Sequence, residues 1–168
     1  MAITEQTGFP AGSANLGSSP ATLAVTTVAV GDLLICAGRV QISATGTMTS
    51  SVSGGGVTNW TQAVDLLDTT VLRYLYLWWG TVSTTGAGTI SVTISGTATI
   101  GGIRVVADSF TAPSQAWTLD AAANISNSVS STTLTLPTLT PTKSSLEMYW
   151  GYELLPASGT FSGGTPAG

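Results

Sequence analysis

From Thr22 onward the chain alternates apolar and polar residues with a period of two, interrupted at short intervals by Gly, Pro and Asn. That period sends successive side chains to opposite faces of a strand. Thr22–Val28 reads as a short strand closed by a Val30-Gly31-Asp32 turn. Asp32–Ile42 reads as the next, with Leu34, Cys36, Gly38, Val40 and Ile42 sharing a face. Met48–Val52 follows and ends at Gly54-Gly55-Gly56, where positive φ and close backbone approach are permitted. Thr89–Ser95 turns Ile90, Val92 and Ile94 to one side, and Ile100–Phe110 does the same with Ile103, Val105 and Ala107. Thr111–Asn127 reads as loop, Thr132–Leu136 as a short strand stopped by Pro137 and Pro141. Ser144–Leu155 reads as a long strand with Leu146, Met148, Trp150, Tyr152 and Leu154 on its apolar face.

Val71–Val82 departs from simple alternation. One face carries Leu72, Tyr74, Tyr76, Trp78 and Val82, the other Val71, Arg73, Leu75, Leu77 and Trp79. A strand apolar on both sides is covered on both sides. It therefore lies between two sheets, or its aromatic face meets a partner. A row of Tyr and Trp also suits stacking on sugar rings, but aromatics dominate ordinary cores and interfaces.

About eight strands with turn signals every 8–12 residues predict an all-β fold, an antiparallel β-sandwich of jelly-roll-like type. Residues 1–20, with Gly8, Pro10, Gly12, Gly17 and Pro20 and little periodicity, form an extended N-terminal arm. The arm either frays or orders against a neighbouring subunit. Residues 21–168 then form a single β-sandwich domain.

Composition narrows the chemistry. The 168 residues include 29 Thr, 20 Ser and 20 Gly, and only 12 charges, 4 basic and 8 acidic. A charged fraction of 7% compares with roughly 25% in an average soluble domain. Without histidine the usual general base, metal ligand and physiological-pH switch are missing. A single cysteine, Cys36, rules out an internal disulfide and a thiolate-clustered zinc site, and reads as a small buried hydrophobe. The net charge of −4, with Arg39, Arg73, Arg104 and Lys143 scattered, argues against nucleic-acid binding. The longest apolar run, Leu75 to Trp79, is far short of the ~20 residues that span a bilayer. The N-terminus has no basic and apolar leader pattern, so synthesis in a cytoplasm without a cleaved signal is expected.

No catalytic constellation emerges. The carboxylates Asp65, Asp68, Asp108, Asp120, Glu147 and Glu153 each have a ready structural role, and Asp65-Leu-Leu-Asp68 lacks the spacing of a calcium loop. The glycine triplet is not followed by Gly-Lys-Ser/Thr and is a poor phosphate cradle. No Ser or Thr has an activating His or Lys at motif spacing. The sequence predicts no enzyme activity, no catalytic residue, no metal and no cofactor.

Several stretches resemble a known kind of domain. Val30-Gly31-Asp32-Leu33-Leu34 and Val52-Ser53-Gly54-Gly55-Gly56-Val57-Thr58-Asn59-Trp60-Thr61 are similar to the start of β-sandwich domains in tailed-phage virion proteins. An aromatic strand like Tyr74–Trp79, a Gly-x-Gly-Thr-x-x-Val-Thr hairpin like Gly86–Ile94, and a closing strand like Ser145–Leu155 with an Ala-Ser-Gly-Thr-Phe loop continue the likeness. The resemblance spans roughly residues 22 to 161. It implies a virion structural role, as in capsid-decorating and minor tail proteins, and no reaction. Such domains usually run past a Pro-x-Gly into Trp-Thr and one more strand, whereas here Pro166-Ala167-Gly168 is the end. An open sheet edge completed by a neighbouring chain is therefore one expectation, an early end of the sequence the other.

The leading expectation is a phage capsid decoration protein that adheres to the outer capsid surface. Its expected partners are the major capsid protein or other virion proteins and further copies of itself, as a homo-oligomer and preferably a trimer. The alternative is a minor tail or tail-fibre module that binds a host receptor or surface glycan. The anchors expected for either are Trp60, Tyr76, Trp78, Trp79, Trp117 and Trp150, since Trp and Tyr dominate interface energetics.

Overall fold

The computed structural model describes residues 3–12, 17–112, 116–120 and 140. Among these residues there are nine strands and no helix. They are β1 (Thr4–Glu5), β2 (Ala11–Gly12), β3 (Ala21–Thr27), β4 (Leu33–Ile42), β5 (Met48–Gly54), β6 (Thr61–Asp68), β7 (Arg73–Thr81), β8 (Gly86–Gly96) and β9 (Ile100–Thr111). Two antiparallel sheets form a β-sandwich: a larger one ordered β1-β9-β4-β7-β6, with β2 also on β9, and a smaller one ordered β3-β8-β5.

Alternation accounts for how the sheets face each other. Along β3, Ala21, Leu23, Val25 and Thr27 are buried while Thr22, Ala24 and Thr26 are exposed. Leu34, Cys36, Val40 and Ile42 of β4 point the same way as Tyr74 and Tyr76 of β7, and meet Ile90, Val92 and Ile94 of β8 across the sandwich. Each large side chain buried here contributes about 1.5–3 kcal/mol. Cys36 lies fully inside this layer. Burial pushes its thiol up to about 12, so at neutral pH it is a packing residue without thiolate character.

The outer faces of the two sheets differ in kind. On the smaller sheet the cross-strand rows Thr22–Ser91–Ser53 and Thr93–Ser51 continue to Thr49–Ser95, a carpet of hydroxyls. On the larger sheet one row is apolar, Val106–Ala37–Leu77–Val64, and its neighbours mix apolar with polar residues: Asp108–Ile35–Trp79–Thr61 and Arg104–Arg39–Leu75–Leu66. Ile35 and Ala37 are buried on this side, at 4% and 0% exposure. Strand β4 is thus covered on both faces along its first half.

Two features go beyond the expected elements. Thr61–Asp68 is a strand, although its sequence shows no clean alternation. A bulge between Gln62 and Val64 leaves Ala63 without a cross-strand partner and reverses the phase halfway along. The described part of the N-terminal arm is paired rather than frayed. Thr4–Glu5 pairs with Phe110–Thr111 and Ala11–Gly12 pairs with Val106–Ala107, so it lies along β9 of its own chain. The expected strands Thr132–Leu136 and Ser144–Leu155 lie outside the described residues.

The glycine triplet carries the chain from the smaller sheet to the larger. Gly54, Gly55 and Gly56 take φ of +80°, +66° and +77°, a left-handed run that only glycine adopts readily. A Cβ on Gly55 would sit 2.7 Å from Cγ1 of Ile90, so the turn is pressed onto the core. Gly56 then accepts backbone bonds from Ser83 and Thr84, which fixes the start of β6 against the end of β7.

Candidate functional site

The end of the sandwich where β4 and β6 begin and β7 stops holds an open groove of about 460 Å³. Its walls come from four segments: Val30–Gly31 before β4, Thr58–Asn59 and Thr61 after the glycine triplet, Trp79–Ser83 at the end of β7, and Trp117. The β3–β4 turn supplies the rim because Gly31, at φ +96°, lets the chain reverse and expose Val28 and Val30. Trp117 is held there by its Nε1–H, which donates to the Gly31 carbonyl at 3.0 Å. Thr58 and Ser83 hydroxyls meet at 2.7 Å across the floor, and Ser83 Oγ donates to the Gly56 carbonyl at 2.9 Å.

Among the described residues, none of the side chains lining this groove is ionisable. Asn59, Thr61 and Thr81 offer a carboxamide and two hydroxyls. The Nε1–H of Trp79 is buried and has no acceptor. An unmet buried donor of this kind costs about 1–3 kcal/mol.

A second polar constellation sits at the side of the sandwich, between the edge strands β5 and β6. Ser50 Oγ accepts from Trp78 Nε1 at 2.9 Å, from the Tyr74 hydroxyl at 3.0 Å and from Gln62 Nε2 at 3.3 Å. Gln62 also donates to Asp65 Oδ2 at 3.3 Å. Burial raises the Tyr74 phenol to about 12, with the Asp65 charge adding to it against the Ser50 bond. The donors on Ser50 come from the larger sheet, so this hydroxyl ties the two layers together.

Of the five expected anchors among the described residues, Trp79 and Trp117 line one groove. Tyr76 is a core residue at 1% exposure, and its hydroxyl donates to the Arg104 carbonyl at 3.2 Å. It presents no surface to a partner, because β7 turns that face toward the smaller sheet. Trp78 packs on the core and is bound to Ser50. Trp60 also packs on the core, and its Nε1–H donates to the Gly54 carbonyl at 3.1 Å. Trp150 lies outside the described residues.

The carboxylates are dispersed. Asp68 Oδ1 accepts from the Thr70 and Val71 amides at 2.8 and 3.2 Å and shapes the β6–β7 turn. Asp108 Oδ1 accepts from the Ser109 amide at 2.9 Å. Sequence reasoning passed over Asp32, which is 2% exposed with Oδ2 unpartnered, and it gave no sign of Ser50 or Asn59. Among the described residues no three of His, Cys, Asp or Glu come together as a metal site.

No protein-family model matches the chain, and no curated protein or solved structure matches it either.

Proposed function

We propose that this protein is a non-catalytic structural subunit of a bacteriophage virion, a decoration protein that binds the outer capsid surface and stabilises it by adhesion. The observation that carries this reading is the outer face of the larger sheet. Its middle rows place Leu66 and Leu75 beside Arg39 and Arg104, Leu77 beside Ala37 and Val106, and Trp79 beside Ile35 and Asp108. Half-buried apolar residues thus lie where a solvated antiparallel sheet would carry mostly polar ones. Apolar residues gathered on an outer sheet face suit contacts with other proteins, here through half-buried side chains around Ile35 and Ala37, which the chain itself already covers. With only 12 charges in the whole chain, such contacts gain little from charge complementarity and draw on apolar burial instead. The resemblance of residues 22 to 161 to virion β-sandwich domains supports the same role. The partners are the major capsid protein and sister copies, with a trimer as the proposed oligomer.

The test uses purified full chain and DNA-free capsids of the phage that encodes it. The protein is expected to sediment as an oligomer and to bind capsids saturably. Binding is expected to survive about 1 M salt, where the screening length falls to about 3 Å. A monomer that leaves capsids bare, or binding abolished by salt, contradicts the proposal. The second reading, a tail module that binds a receptor or glycan, is favoured by one observation, the meeting of Trp79 and Trp117 in the groove.

A further inference from the structure

The groove between Trp79 and Trp117 has the chemistry of a small-molecule site, and we propose that it binds a neutral pyranose sugar. The inference deepens the second reading above and concerns one end of the sandwich, where Trp79 is shared with the outer face of the larger sheet.

Three features select the ligand class. First, no ionisable side chain among the described residues lines the groove, so these residues provide no countercharge for an anion or cation. Second, Trp117 spends its only hydrogen-bonding group on Gly31, which leaves the apolar surface of its indole as its contribution to the groove. Trp79 adds a second ring. A pyranose presents an apolar C–H face to such rings and a girdle of hydroxyls at its edge. Third, the walls carry neutral hydrogen-bonding groups suited to those hydroxyls: the Asn59 carboxamide and the Thr61 and Thr81 hydroxyls. The Trp79 Nε1–H is a further donor with no acceptor in the fold, buried beside the groove.

An apolar peptide side chain fits this groove less well than a sugar. It would cover Asn59, Thr61 and Thr81 and give them nothing to bond, and unpaired polar groups are what make a site reject an apolar ligand. The size agrees: a groove of about 460 Å³ lies within the usual range for small-molecule sites. The reading commits to an uncharged, hydroxyl-rich ring.

The experiment is a titration of the full-length protein with glucose, galactose, mannose, N-acetylglucosamine and maltose, followed by the NMR signals of the indole N–H groups. At least one of these sugars is expected to shift the Trp79 and Trp117 signals saturably at millimolar concentration. The Trp117→Ala variant is expected to weaken that binding about tenfold or more. Trp117 stands at the rim, but loss of its bond to Gly31 disturbs the turn, so Asn59→Ala provides a second test. Asn59 is exposed, and its replacement leaves the core untouched while weakening sugar binding severalfold. Three results overturn the proposal: no shift from any of the five sugars up to about 100 mM, a shift unaffected by both substitutions, or tighter binding of an apolar peptide than of every sugar. The capsid-binding assay is read separately, so failure here leaves the adhesive role standing, and the reverse also holds.

Discussion

Replacement of Gly38 by alanine is expected to destabilise the protein by at least about 3 kcal/mol, near the upper end for a single methyl added to a core. Gly38 lies in the middle of β4, directly opposite Tyr76 on β7 and Val105 on β9. The Tyr76 ring crosses beneath it to donate to the Arg104 carbonyl. A Cβ at this position would collide with that carbonyl, with the Tyr76 hydroxyl, and with Cζ of Tyr76 at 2.7 Å. The carbonyl belongs to a strand paired along its length and cannot yield without breaking the β4–β9 ladder. Tyr76→Phe is the informative comparison, because it removes the hydrogen bond alone and should cost about 1 kcal/mol. Denaturant unfolding measures both. If Gly38→Ala costs no more than Tyr76→Phe, the close passage of the ring under β4 is wrong.

Ser50→Ala is expected to cost about 2–4 kcal/mol, far more than loss of a partly exposed hydroxyl usually does. The serine itself contributes little by burial. Its removal leaves the Trp78 Nε1–H and the hydroxyl of Tyr74, a fully buried residue, without their partner. It also unfastens β5 of the smaller sheet from β7 of the larger. Ser50→Thr retains an oxygen at the same branch of the side chain and should recover most of the loss. The midpoint of urea unfolding should fall for the alanine variant with little change in slope, as for a lost interaction in an unchanged fold. A midpoint within about 0.5 kcal/mol of the parent would show that Ser50 does not join the sheets.

The strands written in plain alternation were legible before any coordinates. Thr22–Val28 corresponds to β3, Asp32–Ile42 to β4 and Ile100–Phe110 to β9, each within a residue or two at its ends. Strand β6 was not legible, since the bulge at Ala63 breaks the two-residue period on which the reading depends. The arm was seen as extended, but pairings of two residues carry no periodic signal, so its seat on β9 was hidden.

The candidate site was legible in kind and not in place. The run Tyr74–Trp79 announced an aromatic strand, but the side on which the second sheet packs decides which aromatics enter the core. That packing takes Tyr74, Tyr76 and Trp78 inward and leaves Trp79 on the opposite face. The bond from Trp117 to Gly31 joins positions 86 residues apart, and nothing in local sequence foretells it. Ser50 and Asn59 are single polar residues in a chain with 20 serines and 29 threonines. Only the convergence of other strands distinguishes them.

The proposed function is adhesion on the outside of a capsid. Cryo-microscopy of intact particles of the encoding phage tests it most directly. Density for the sandwich is expected at symmetric positions on the outer shell, with the outer face of the larger sheet turned to the capsid protein or to a sister copy. Density confined to the tail, or particles that lack the protein altogether, would contradict it.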